Sequence, residues 1–160
     1  MLCNFVLSIT SPVATSESLA AFTEAIMLTG TAFRCYLRQR FKECRLDLTT
    51  EMMQVLHYLW RHDHVNQQEI ANAVGRDKAS LTAMLDNMVR RELVTRCEDS
   101  QDRRNKRIVL TTKGRALEQE VTLLVQEMYE KAGQHLPPQQ LKASLAVLDQ
   151  ITQNLAPAKK

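Results

Sequence analysis

Two short stretches of this chain hold the side chains best suited to binding chemistry. Lys78, Ser80, Thr82 and Arg90 sit at positions 1, 3, 5 and 13 of a run opened by Asp77. On a helix the face opposite the apolar stripe then carries Ala79, Ala83, Asp86 and Arg90, with Ser80, Thr82 and Asn87 at its flanks, and such a polar face can meet phosphates and base edges. The second stretch, Asp102-Arg103-Arg104-Asn105-Lys106-Arg107, is a basic run with one acid at its head. Residues 76–115 hold eleven basic and six acidic side chains, a net of +5, whereas residues 1–75 and 116–160 are each −1. The whole positive excess lies in the central quarter, the electrostatic footprint of a nucleic-acid binder.

Other chemistries are poorly served. No Ser-His-Asp arrangement, glycine-rich phosphate loop or paired catalytic carboxylates occur, so an enzyme is not expected. His57, His62 and His64 cluster with Asp63, but without further ligands they read as solvated histidines, and no metal or cofactor is expected. Cys3, Cys35, Cys44 and Cys97 form no CxxC pair. Buried reduced thiols and a cytoplasmic location are the expectation. Cys35, beside Arg34 and Arg38, is the better of two candidate redox thiols, the other being Cys44.

The positioning elements follow from periodicity. With 160 residues, 44% hydrophobic, and only four Gly and four Pro, the chain is a helical globular protein with no membrane span. Residues 1–16 precede the first basic side chain, Arg34, and lack the charged start of a signal peptide; they read as a flexible tail. Leu19, Phe22, Ile26, Phe33, Leu37 and Phe41 mark a long helix over about 17–44, capped by Ser16 or Ser18. A second helix opens at Thr49-Thr50-Glu51 and carries Met52, Val55, Leu56, Leu59 and Trp60. Val65-Asn66 is a stub of strand. Residues 67–74 and 78–91 form two short helices joined by a turn at Gly75, with Ala71 at their crossing, which is helix-turn-helix spacing. Residues 93–98 and 106–110 alternate as strands of a hairpin, with a wide loop between them. Thr111 or Thr112 caps a fifth helix over 113–133, and a sixth runs from Pro138 or Gln139 to Leu155.

The run 102–114, DRRNKRIVLTTKG, resembles the wing signature of the MarR-type transcriptional regulators: Asp-x-Arg, an alternating strand, Leu-Thr, then Gly. Val94-Thr95-Arg96 and Asp77 match as well. The resemblance implies a mainly α fold: a winged helix-turn-helix lobe over 47–112 with a two-stranded wing over 94–110, and a helical dimerisation region from 17–46 and 113–156. It implies a homodimer binding a palindromic operator in double-stranded DNA through recognition helix 78–91, as a repressor of ligand-responsive genes. Lys78, Ser80 and Thr82 would face DNA, with Arg90, Arg103 and Lys106 nearby. Asp102 would brace the wing by pairing with Arg104 or a neighbouring arginine, while Arg104 reaches the minor groove. A small aromatic or lipophilic effector would lie among Phe33, Leu37, Met53, His57 and Trp60. Two departures stand out: Ala83 where relatives often carry Arg, and Glu92 where they usually have Gly. A winged-helix protein–protein module and a non-specific architectural DNA binder are the competing readings.

Overall fold

The computed structural model describes residues 15–98 and 106–156. The chain divides into two compact units, residues 1–50 and 51–160. In the first, α1 (Ser16–Glu43) is a single 28-residue helix. Its cap is Thr15, not Ser16 or Ser18: the Thr15 hydroxyl accepts from the Ser18 amide at 3.2 Å, while Ser18 Oγ turns back to the Thr15 carbonyl. Thr15 and Ser16, the last two positions of the expected tail, therefore belong to the start of α1, and its residues 1–14 lie outside the described residues. The helix closes through Arg45 at φ 56°, with the Leu46 amide on the Phe41 carbonyl at 2.8 Å. Leu37 and Phe41 are buried, but Leu19, Ile26, Met27 and Leu28 are exposed.

The second unit continues from α2 (Thr50–Arg61) through β1 (Val65–Asn66), α3 (Gln67–Val74), α4 (Lys78–Arg90), β2 (Val94–Glu98), β3 (Lys106–Leu110), α5 (Thr112–Ala132) and α6 (Pro138–Leu155). The apolar face read from the sequence becomes the core: Val55, Leu56, Leu59, Ile70, Leu81, Leu85 and Met88 are fully buried. Each contributes about 1.5–3 kcal/mol by leaving water. The stub Val65–Asn66 pairs with β3, so the sheet has three antiparallel strands in the order β1-β3-β2. Register places Val94 opposite Leu110 and Glu98 opposite Lys106. Ile108 and Leu110 point inward, as their alternation predicts.

Thr111 caps α5, its hydroxyl accepting from the Gly114 amide at 3.0 Å. The first turn of α5 lies hard against the exit of α4. Thr111 bonds the Leu93 carbonyl through both its amide and its hydroxyl, and Lys113 Nζ donates to the Arg91 carbonyl at 2.9 Å. Glu92 between them has φ 57°, the left-handed conformation that a glycine takes without strain. The sixth helix buries no residue, and no side chain caps its start at Pro137.

Candidate nucleic-acid interface

Local chemistry explains why α3 and α4 meet as they do. Asn66 caps α3 by accepting from the Glu69 amide at 2.9 Å. Gly75 takes the left-handed conformation, φ 63°, that ends the helix without a Cβ clash. Asp77 then caps α4 through the Ser80 amide at 2.8 Å. The Ser80 hydroxyl and amide hold the Asp77 carboxyl below the usual carboxylate range. Ile70, Ala71, Leu81 and Leu85 close the crossing. The opposite side of α4 leaves Lys78, Ala79, Ser80, Ala83 and Arg90 exposed, with Thr82 half-buried.

Beside this edge lies an open groove of about 520 Å³, lined among others by Gln67, Gln68, Lys78, Thr82, Arg96 and Lys106. Three of those six are cations, carried by α4, β2 and β3. Arg96 is partly engaged, pairing with Asp86 at 2.7 Å. Gln67, the first residue of α3, bonds both the Lys78 carbonyl and the Thr82 hydroxyl. Of the predicted contacts, Lys78, Thr82 and Lys106 line this groove, while Ser80 and Arg90 are exposed elsewhere on α4. Arg103, Arg104 and the wing-bracing Asp102 lie outside the described residues.

Asp63 secures the base of the sheet. Its carboxylate accepts from the Leu110 amide at 3.0 Å and the His64 amide at 2.9 Å, and pairs with Arg115. Burial pushes its pKa up, but these hydrogen bonds and the Arg115 charge outweigh it, and the net shift is downward. Arg107 donates to the His64 carbonyl at 2.8 Å. His62 stacks on Tyr58, ring centroids 4.7 Å apart. Among the described residues no group of three His, Cys, Asp or Glu could hold a metal ion.

A separate cleft of about 430 Å³ is lined by Met53, His57 and Trp60 together with Val121, Val125 and Tyr129 and others. The Trp60 indole N–H donates to the Gly114 carbonyl at 3.0 Å, which fixes the ring. The other two residues expected at an effector site, Phe33 and Leu37, belong to α1 in the N-terminal unit, the first half-buried and the second buried. The thiols also differ from expectation: Cys35 is exposed, and Cys44 and Cys97 are half-buried. Cys35 stands on the outer face of α1, whose periodic apolar positions lie elsewhere.

Sequence reasoning did not single out Gln67, and it met Asp63 only as a neighbour of the histidine cluster, not as the anchor of the sheet. A glutamine opening the first helix of a helix-turn-helix, one polar residue from its cap, was the available signal for Gln67. Asp63 gave none, because its partners are 47 and 52 residues away.

The MarR family model matches residues 48–106. Among solved structures, the Staphylococcus aureus MepR–DNA complex is 26% identical, covers 84% of this chain and 98% of its own, and superposes with a TM-score of 0.77. The transcriptional repressor CouR bound to a 23-mer DNA duplex is also 26% identical, covers 89% and 99%, and has a TM-score of 0.73. A MarR transcriptional regulator from Methanosarcina mazei Go1, 22% identical over 84% and 96%, shares the fold at a TM-score of 0.72. These relatives are transcription regulators, not enzymes.

Proposed function

We propose that this chain, whose residues 48–106 match the MarR family model, is a MarR-type DNA-binding transcription regulator that works as a homodimer on a palindromic operator, repressing genes until an effector binds. The observation that carries the reading is the exposed polar edge of α4 lying beside a groove lined by Lys78, Arg96 and Lys106. MepR and CouR, similar along nearly their whole lengths, have been solved on DNA. A helix of this kind fits the major groove, and a two-fold dimer would address half-sites about one helical turn apart. Residues 47–112 form the DNA-binding lobe in this reading. Residues 17–46 and 113–156 supply the dimerisation region, whose apolar side chains at Met27, Leu28, Leu141 and Leu145 are exposed in the single chain. Arg103 and Arg104 extend the wing's contacts into the minor groove. An aromatic or lipophilic effector occupies the cleft at Met53, His57 and Trp60.

The test is selection of duplexes from a random library with purified protein, followed by titration of the preferred site at several salt concentrations. A palindrome should emerge. Arg96 and Arg107 are engaged within the protein, so Lys78, Arg90, Lys106, Arg103 and Arg104 carry the phosphate contacts. With about six phosphates neutralised by the dimer, log K should fall with log salt at a slope of roughly −5. A slope near zero would overturn the reading and favour an acidic protein partner. Steep salt dependence without sequence preference would make the protein an architectural binder instead.

A further inference from the structure

Hydroxyl side chains ordinarily read DNA in either sense, because each can donate or accept. At the start of α4 the protein's own hydrogen bonds remove that freedom. Thr82 Oγ1 lies 2.7 Å from the Lys78 carbonyl oxygen, which can only accept, so the threonine's single proton is committed there. Gln67 Nε2 approaches the same carbonyl at 3.3 Å and also reaches Thr82 Oγ1. Contact with a carbonyl settles which end of this amide carries the protons. The Thr82 hydroxyl and the Lys78 carbonyl lie 2.7 Å apart and on the same side of Nε2, so one N–H of this amide serves both and the other stays open. Ser80 Oγ lies 2.6 Å from Asp77 Oδ2, an ionised cap that can only accept, so its proton is committed too.

We infer that Thr82 and Ser80 offer a duplex acceptors alone, and therefore select bases bearing an exocyclic amino group, adenine N6 or cytosine N4, in the major groove. Guanine and thymine present only acceptors along that edge, apart from the thymine methyl. The keto oxygens O6 and O4 would face a lone pair rather than a proton. Lys78 is the donor on this stretch of α4, and its flexible ammonium suits phosphate as well as a base. The exposed methyl groups of Ala79 and Ala83 lie on the same helix and add apolar contact for a thymine methyl. Thr82 is the stronger reader of the two, because it is half-buried and held from two sides, whereas Ser80 is exposed. Gln67 is a positioning residue: its amide donates to the Thr82 hydroxyl and helps hold it in the orientation that spends its proton on Lys78.

This inference rests on the proposed function, and its test separates the two. The preferred duplex is prepared with single analogues in both half-sites: purine lacking the 6-amino group for adenine, 2-pyrimidinone lacking the 4-amino group for cytosine, and 7-deaza purines lacking the N7 acceptor. Loss of the amino group that faces Thr82 should weaken binding about three- to tenfold per half-site, with the salt slope unchanged. The two amino-deficient analogues tell adenine from cytosine at that position. Thr82→Val, equal in shape but without the hydroxyl, should bind parent and amino-deficient duplexes alike, and Thr82→Ser should keep the discrimination. The 7-deaza substitutions should be neutral at the Thr82-dependent position. Indifference to every amino deletion, or a Thr82-dependent loss on removing N7, would overturn the inference while leaving salt-dependent DNA binding in place. Absence of salt-dependent duplex binding by the parent protein would overturn the proposed function, and this inference with it.

Discussion

Replacing Gly114 by alanine adds one methyl group where the first turn of α5 meets the chain leaving α4. That Cβ would overlap the carbonyl oxygen of Leu93 and sit 3.1 Å from its carbon and 3.2 Å from Leu110 Cδ2. The obstacle is backbone, so it cannot swing aside, and Leu93 must retreat by about 1 Å. The same carbonyl accepts from the Thr111 amide at 3.2 Å and the Thr111 hydroxyl at 3.1 Å, and both bonds lengthen past usefulness. Overpacking costs about 1–3 kcal/mol. Two weakened hydrogen bonds cost about 1 kcal/mol each. Better helix propensity returns about 1 kcal/mol. The net is a loss of about 2–4 kcal/mol. Urea unfolding should show this as a midpoint lower by about 1 M, for a slope of about 2–3 kcal/mol per molar. Gly30→Ala is the matched control: its Cβ meets only the mobile end of Arg34, at 3.4 Å. It should stabilise by about 0.5–1 kcal/mol. A Gly114→Ala midpoint equal to or above that of the parent protein would refute the close approach of α5 to Leu93.

Asp63 has a lowered pKa, so its stabilisation is present above the unfolded carboxylate value of about 4 and is lost as pH falls through the lower folded value. Asp63→Asn should therefore be less stable at neutral pH by about 1–2 kcal/mol and show a shallower acid transition below about pH 4; parallel acid curves would remove the Asp63–Arg115 pairing as a cause. Sedimentation at micromolar concentration should give a dimer, and Leu145→Asp on the exposed stripe of α6 should shift it toward monomer; a parent protein that is wholly monomeric would sink the dimer reading. Arg104→Ala should weaken duplex binding several-fold with an unchanged circular dichroism spectrum, and unaltered affinity would take the wing off the DNA.

What could be read from the chain were the features set by neighbours in sequence. Gly75 announces a left-handed turn, Asp77 and Thr111 announce caps, and the spacing of Leu81, Leu85 and Met88 announces a buried stripe; all are local rules of backbone geometry. The end of α1 was legible to within a residue, but its cap was misplaced by one to three positions because Thr15, Ser16 and Ser18 are all competent. Contacts between distant residues were not legible. The Trp60 indole meets the Gly114 carbonyl 54 residues on, and Asp63 meets Leu110 and Arg115. A side chain's type states what it can bond, and only the fold states which backbone group arrives. For the same reason the sequence nominated Thr82 as a base reader but was silent on which sense of hydrogen bond it had left to offer.

The left-handed Glu92 bears on which amino acids position 92 can tolerate. Its neighbours leave the turn no room to relax, since the carbonyls of Arg91, Glu92 and Leu93 are all tied to α5 through Lys113 and Thr111. The conformation costs a residue with a Cβ about 1–2 kcal/mol. Glycine removes that penalty and gives back part of the gain, about 0.4–1 kcal/mol, to a more disordered unfolded chain. Asparagine and aspartate tolerate the turn comparatively well, whereas valine or isoleucine would be excluded. The protein therefore stands one substitution from a more stable version of itself, with a reserve at position 92 that could offset a destabilising change elsewhere, including one on α4 that alters which sequence is read.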